Sequence, residues 1–261
     1  MEILIRDSAE TGCRLAAKII AKVVREKPAA VLGLATGRTP LQLYRELIRL
    51  HREEGLSFRD VTTFNLDEYV GLPPTHDQSY RWFMQEHFFR HIDIRPDRTH
   101  VPDGTAADLQ AECRSYEARI AAAGGIDLQL LGLGRNGHIG FNEPTSSLRS
   151  RTWIKILSEG TLRDNSAVFG AFESMPRHAI TMGIGTILDA RRVLLLAFGP
   201  AKARAALCMV EGPLAALCPA SALQLHPRAT IVLDESAAAG LQLAEHYRWI
   251  DRHKLDWQRY D

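Results

Sequence analysis

The sequence has almost no net charge. Its 32 basic and 31 acidic residues nearly cancel, which gives no reason to expect a nucleic-acid-binding face. It also lacks paired cysteines. Cys13, Cys113, Cys208 and Cys218 are scattered without CxxC spacing. They read as reduced thiols of a cytoplasmic protein, not as disulfides or zinc ligands. No apolar run approaches the ~20 residues that a membrane-spanning helix needs. The opening MEILIRDSAE turns polar after five residues, too early and too acidic for a signal peptide. There is no GxSxG nucleophile elbow and no GxxxxGK(S/T) phosphate loop. GLGRNG at 132–137 is close to GxGxxG, but it lies mid-chain without the downstream ribose-binding context of a dinucleotide site.

What is present is core material, since 46% of the 261 residues are hydrophobic. The pattern alternates strands with helices. EILI at 2–5 predicts an edge strand, and Ser8 an N-cap for a helix running to about Arg25. Ala30–Leu34, Val61–Leu66, Leu128–Leu133, Val193–Phe198 and Thr230–Leu233 predict strands. Helices are expected over 40–54, 77–91 and 106–123, with the last stopped by Gly124-Gly125. Residues 92–105 read as loop. Thr152–Leu157 reads as another strand. Residues 158–177 show no firm period and suit a mobile lid. A C-terminal helix with Leu241, Leu243, Tyr247 and Ile250 on one face is followed by a basic-aromatic tail expected to dock on the body or on a neighbouring subunit. The order predicts one α/β domain over 1–261, three-layer and Rossmann-like, with a largely parallel central sheet and helices on both faces.

The stretch Asp127–Pro144, DLQLLGLGRNGHIGFNEP, concentrates the chemistry. A buried strand runs into four closely spaced glycines that admit close approach of a ligand. His138 sits among them and Glu143 follows. Open α/β sheets bind ligands at such strand ends. His138 is a candidate proton shuttle, a task suited to imidazole near neutral pH, and Glu143 could hold its ring. Thr36, Gly37, Arg38 and Thr39 form a strand–loop–helix corner, with Thr39 as the expected N-cap and Pro40 as the first helical residue. Such a corner accepts anions. Gly199-Pro200-Ala201-Lys202 is a second corner with a lysine. Asp67 and Glu68 end a strand, as a solvated loop face or as a base above a site. His87 and His91 are spaced to share a metal, but without the glutamate of the zincin pattern no metal is expected. Together these groups suggest cofactor-free acid–base chemistry on a small phosphorylated molecule.

LGLATGRTP, TFNLDEYVGLP, LGLGRNGHIGFNEP, SSLRSRT, TMGIGTILDA and LQLHP occur in order between residues 31 and 234. With these motifs the chain resembles the glucosamine-6-phosphate deaminases of the isomerising type. The resemblance implies conversion of glucosamine 6-phosphate and water to fructose 6-phosphate and ammonium, in amino sugar catabolism. It implies Asp67 as the base between C2 and C1 and His138 as the ring-opening residue. Asn136 and Glu143 would support His138. Thr36 to Thr39 with Lys202 would hold the phosphate. A galactosamine-6-phosphate deaminase, a 6-phosphogluconolactonase and a non-catalytic sugar-phosphate sensor are the alternatives. Family members occur as monomers and hexamers, so a homo-oligomer stays open.

Three positions depart from that family pattern. Some members carry aspartate where this chain has Asn136. A phosphate-gripping lid arginine aligns with Ala167, with Arg38 or Arg163 as replacements. An allosteric-site arginine aligns with Trp153, although Ser146 and Lys155 remain, so activation by N-acetylglucosamine 6-phosphate is not expected.

Overall fold

The computed structural model describes residues 1–166, 169 and 175–260. Seven strands form a parallel sheet: β1 (Glu2–Arg6), β2 (Val31–Leu34), β3 (Thr62–Asn65), β5 (Thr99–His100), β6 (Leu128–Gly132), β9 (Val193–Ala197) and β10 (Ala229–Asp234). Their order across the sheet is β1-β10-β9-β6-β2-β3-β5. Every residue of β2 and of β9 is buried, which requires cover on both faces of the sheet. The helices give it, and the layered α/β arrangement expected from the pattern is the one observed.

The first connection shows why the local sequence folds as it does. Helix α1 (Ala9–Glu26) starts at Ser8, whose hydroxyl accepts from the Thr11 amide at 3.2 Å while the Thr11 hydroxyl accepts from the Ser8 amide at 3.2 Å. This reciprocal cap satisfies two amides that have no partner inside the helix. Leu15, Ile19, Ile20, Val23 and Val24 then line its buried face, and packing of that face supplies most of the helix's stability.

The path of the chain through the sheet sets the place of the site. From β2 it moves outward through α2 (Arg38–Glu54) to β3 and then β5. From β5 it returns through α4 (Leu109–Ala122) to β6, on the other side of β2, and continues the opposite way to β9 and β10. The direction reverses between β2 and β6. A crevice opens beyond the carboxyl ends of two strands that part in this way.

Several elements differ from the expectation. β5 is a strand inside the stretch read as loop. Its two residues are too few for a periodic signal. The Thr152–Leu157 strand is real as β7 (Trp153–Ile156), but it does not join the parallel sheet. It pairs antiparallel with β8 (His178–Thr181), which pairs antiparallel with β4 (Asp67–Tyr69). Residues 159–166 form helix α5 (Glu159–Ser166), where no period was legible. The remainder of the expected lid, including Ala167, lies partly outside the described residues. Thr39 is not the N-cap of α2. Gly37 takes that place at φ 110°, a left-handed value that favours glycine, and the helix starts at Arg38. The helix over 77–91 is shorter, as α3 (Tyr80–His87).

At the C-terminus, the last α-helix (Ala244–Arg252) buries less than its pattern suggests. Leu243 and Ile250 are exposed. The tail does dock on the body, through Lys254 to Glu2 at 2.6 Å and the Tyr260 hydroxyl to Glu2 at 3.0 Å. His87 packs edge-on against Trp82 and Phe83. His91 holds the Glu86 carbonyl at 3.0 Å. The four cysteines are unpaired. Among the described residues no helix is long and apolar enough to cross a membrane.

Candidate active site

A cavity of about 260 Å³ occupies the crevice at the reversal point. Ala35 to Pro40 enter it after β2, Leu66 and Asp67 after β3, Gly132 to Arg135 with His138 after β6, and Lys202 after β9. The sequence-predicted residues Thr36, Gly37, Arg38, Thr39, Asp67, His138 and Lys202 thus share one wall-to-wall space.

One corner of the cavity is built from α2 and the Lys202 turn. Gly37 caps α2 with no side-chain hydrogen bond, so the first-turn amides face the cavity without a protein acceptor from their cap. A β-carbon at Gly37 would meet nothing within 4 Å, so its side faces open space and its role is conformational. The Lys202 ammonium donates to the Leu133 carbonyl at 2.7 Å. That bond fixes the side chain over the β6 loop. Amides at a helix N-terminus, hydroxyls and two cations favour a dianion.

Asp67 sits where the chain leaves one sheet for the other. Leu66 still donates to Leu34 at 2.9 Å, as part of the parallel sheet. Asp67, the next residue, opposes Thr181 in the small antiparallel sheet. Its carboxyl is buried, and burial first and the Glu68 charge second raise its pKa from an ordinary 3.8 to about 8. A carboxyl near neutrality in a cleft is suited to exchange protons with substrate carbon. Glu68 has a different task. Its carboxylate accepts from the amides of Tyr69 at 2.8 Å, Tyr80 at 2.9 Å and Arg81 at 3.0 Å. It anchors the start of α3 and is neither a loop face in water nor a second base.

His138 is held by a relay. Asn136 Nδ2 donates to Glu143 Oε2 at 2.7 Å. Asn136 Oδ1 lies 2.7 Å from His138 Nδ1 and accepts from the His138 amide at 3.2 Å. The amide must therefore point its oxygen at the ring, because the Glu143 carboxylate and the backbone N–H each accept only that orientation. An oxygen cannot donate, so Nδ1 carries the hydrogen and Nε2 is left to exchange protons. Glu143 Oε2 stands 3.6 Å from Nδ1. The expected direct hold of Glu143 on the ring thus runs through Asn136. Burial alone would raise the Glu143 pKa. The nearby His138 ring and the bonds from Thr161 and Asn136 outweigh it and hold the group at about 2.

The glycines around the ring are spatial necessities. A β-carbon at Gly134 would lie 2.3 Å from the His138 ring. Asn142, fully buried, ties the loop to the small sheet by donating to Ile139 at 2.9 Å and Met182 at 2.8 Å and accepting from the Trp153 indole at 3.1 Å.

Four residues of the site are missing from the sequence-based set. Tyr80 lines the cavity, its hydroxyl bonded to Tyr69 at 3.2 Å. It reads in the sequence as one more buried-face aromatic. Arg135 adds a cation between Gly134 and Asn136, and its place inside the glycine loop was a usable signal. Thr161 and Ser158 bind Glu143 from α5, and the weak period of that stretch hid them. Of the two candidate replacements for a lid arginine, Arg38 lines the cavity, whereas Arg163 faces a larger neighbouring cavity and pairs with Glu159.

Comparison with known proteins adds the family. Residues 6–232 match the family of glucosamine-6-phosphate isomerases and 6-phosphogluconolactonases. The chain belongs to this family. A glucosamine-6-phosphate deaminase of Hahella chejuensis is 56% identical over 98% of this chain and 97% of its own length. One from an Arthrobacter species is 52% identical over 99% of both. The solved structure of a monomeric glucosamine-6-phosphate deaminase superposes with a TM-score of 0.91 at 49% identity, covering 92% of this chain and all of that one. A 6-phosphogluconolactonase from Trypanosoma cruzi superposes with a TM-score of 0.74 at 22% identity, a likeness of fold alone.

Proposed function

We propose that the protein is a glucosamine-6-phosphate deaminase that needs no cofactor, acting in amino sugar catabolism in the cytoplasm. The observation that carries this reading is the shared cavity. It places a buried carboxyl, an imidazole with a defined exchanging nitrogen and a two-sided anion corner within one small space. The phosphate seats on the α2 amides, Thr36, Thr39, Arg38 and Lys202, remote from the chemistry, and its binding energy positions the sugar.

His138 Nε2 carries the O1 proton to the ring oxygen and opens the pyranose. Only the open chain has the carbonyl that makes the C2 hydrogen acidic. Asp67 takes that proton and returns it at C1. The enolamine becomes a C2 imine, water adds, and ammonia leaves. A substrate ammonium beside Asp67 supplies the opposite charge that draws the proton off a carboxyl otherwise held near 8. Asn136, held by Glu143, fixes the orientation and tautomer of the ring.

The 49% identical relative is described as monomeric, which supports a single chain as the working unit. Trp153, bonded to Asn142 and covered by the Lys155 ammonium at 4.4 Å, is committed to the loop's support. This favours hyperbolic kinetics without activation by N-acetylglucosamine 6-phosphate.

The test is ammonium release from glucosamine 6-phosphate and galactosamine 6-phosphate, with Asp67→Asn as control. Release from the first, lost in the variant, is the expected result. Preference for the second epimer would reassign the substrate. Hydrolysis of 6-phosphogluconolactone with no ammonium from either amine would overturn the reading.

A further inference from the structure

We infer that Thr161, with Ser158, is a positioning residue for the ring-opening step, and that it fastens helix α5 to the His138 relay. The inference rests on the deaminase reading above. Its basis is the division of labour at Glu143. One carboxylate oxygen, Oε2, takes the Asn136 amide at 2.7 Å. The other, Oε1, takes the Thr161 hydroxyl and the Ser158 hydroxyl, the latter at 3.1 Å. The relay therefore has two ends. His138 is at one and the first turn of α5 at the other.

A carboxylate at the end of a two-carbon arm turns freely unless both oxygens are held. Asn136 alone fixes one oxygen and leaves rotation about it. The two hydroxyls remove that freedom, so the direction in which Oε2 meets Asn136, and hence the aim of Asn136 at Nδ1, depends on α5. Thr161 is buried and lines both the substrate cavity and the larger cavity beside it. It stands as part of the wall between them. Without its hydroxyl, a buried carboxylate oxygen loses a charge-assisted bond.

The simpler role, helix capping, falls to another atom. Ser158 Oγ accepts from the Thr161 amide at 3.2 Å. That cap uses the Thr161 backbone and survives removal of the Thr161 side-chain hydroxyl. Leu162 anchors the same helix independently, buried in the small apolar cluster with Tyr69, Phe141 and Leu157. Removing the hydroxyl should thus leave the fold and the cap in place and disturb the relay.

The experiment compares Thr161→Val, which keeps the shape and drops the hydroxyl, with Thr161→Ser, which keeps the hydroxyl, and with Glu143→Gln. Steady-state ammonium release gives kcat and KM. Hydrogen exchange by mass spectrometry reads the amides of 158–166. We expect Thr161→Val to lower kcat about tenfold with KM changed less than about twofold, and Thr161→Ser to recover to within about twofold of the parent. Exchange in α5 should quicken in Thr161→Val and Glu143→Gln and stay slow in Thr161→Ser. Equal impairment of Thr161→Ser and Thr161→Val would overturn the inference, as would a raised KM with kcat preserved, or unchanged exchange in Thr161→Val. Thr161→Ala removes the same hydroxyl and replaces the valine variant if that variant does not fold. Should the parent protein release no ammonium, the deaminase reading falls, while the exchange arm still decides whether Glu143 and Thr161 hold α5.

Discussion

Asp67 and Glu143 are both buried, yet their surroundings push them in opposite directions. Asp67 has a like charge beside it and ionises at about 8. Glu143 collects hydrogen-bond donors and ionises at about 2. The consequences for stability have opposite sign. Between about pH 4 and about pH 8 the folded chain holds a proton on Asp67 that the unfolded chain has lost, so this group makes stability fall as pH rises. Glu143 contributes stability that is present above its ordinary 4.5 and is lost as pH drops towards about 2. Replacing Asp67 by asparagine should abolish turnover by at least ~1000-fold and raise the melting temperature at pH 8. The gain should be on the order of a few kcal/mol there and vanish near pH 4. Parallel melting curves at those two pH values check it, and a gain independent of pH would contradict the assigned cause. At Gly134, alanine would put a methyl 2.3 Å from the His138 ring. We expect kcat to fall about 100-fold with substrate affinity near that of the parent, read from initial rates and from ligand titration.

At this scale the sequence was legible where residue type and glycine spacing alone define the chemistry. His138 and the Thr36–Thr39 corner came from it as candidates, whereas Asp67 stood there as either a solvated loop face or a base. The order of the relay did not, because Asn136 and Glu143 are seven positions apart and nothing in spacing says which of them touches the ring.

Helix α3 shows what an element owes to a residue far from it in sequence. Its first amides would be buried without partners. Ser79 accepts from Trp82 at 3.0 Å, and Glu68 accepts from Tyr80 and Arg81. A buried carboxylate at a helix N-terminus also meets the positive end of its dipole. Because Tyr80 lines the cavity, the latch fixes one wall of the site. Glu68→Gln keeps the size but puts a donor against an amide donor. It should cost about 1–3 kcal/mol, visible in urea unfolding, and raise KM more than it lowers kcat. Unfolding at the parental midpoint would count against the latch. The sequence placed Glu68 beside Asp67 but could not separate their tasks, since one faces the cavity and the other the helix only after the chain has turned. Strong periodicity made α1, α2 and the central strands readable. β5 and α5 were not, being short or weakly patterned and held by contacts from elsewhere.

The whole molecule is a large parallel sheet with a small antiparallel one set at its carboxyl edge. Alternation of strands and helices revealed the first. The second escaped because β4, β7 and β8 are three to four residues long and their pairing is between distant segments. The corners proposed to hold the phosphate belong to the large sheet. Asp67 belongs to the small one, and the His138 loop is tied to it through Phe141 to Thr181 at 3.0 Å and Asn142 to Met182. On the proposed reading, a bound hexose phosphate spans both. An open-chain hexitol 6-phosphate, which cannot isomerise, should slow hydrogen exchange in β4, β7 and β8. Inorganic phosphate, reaching only the corners, should leave those strands unchanged. Equal protection by the two would show that the sheets respond as one body.

The peptide step from Leu66 to Asp67 then acquires a meaning of its own. It is the joint of a caliper, with the proposed anion grip on one jaw and the proposed proton-transfer carboxyl on the other. On the proposed reading, the gap between the jaws would match the number of carbons separating phosphate from reacting centre. Substitutions within β4, β7 and β8 are the route by which such a gauge would be reset for shorter or longer phosphorylated sugars, with the grip itself left untouched.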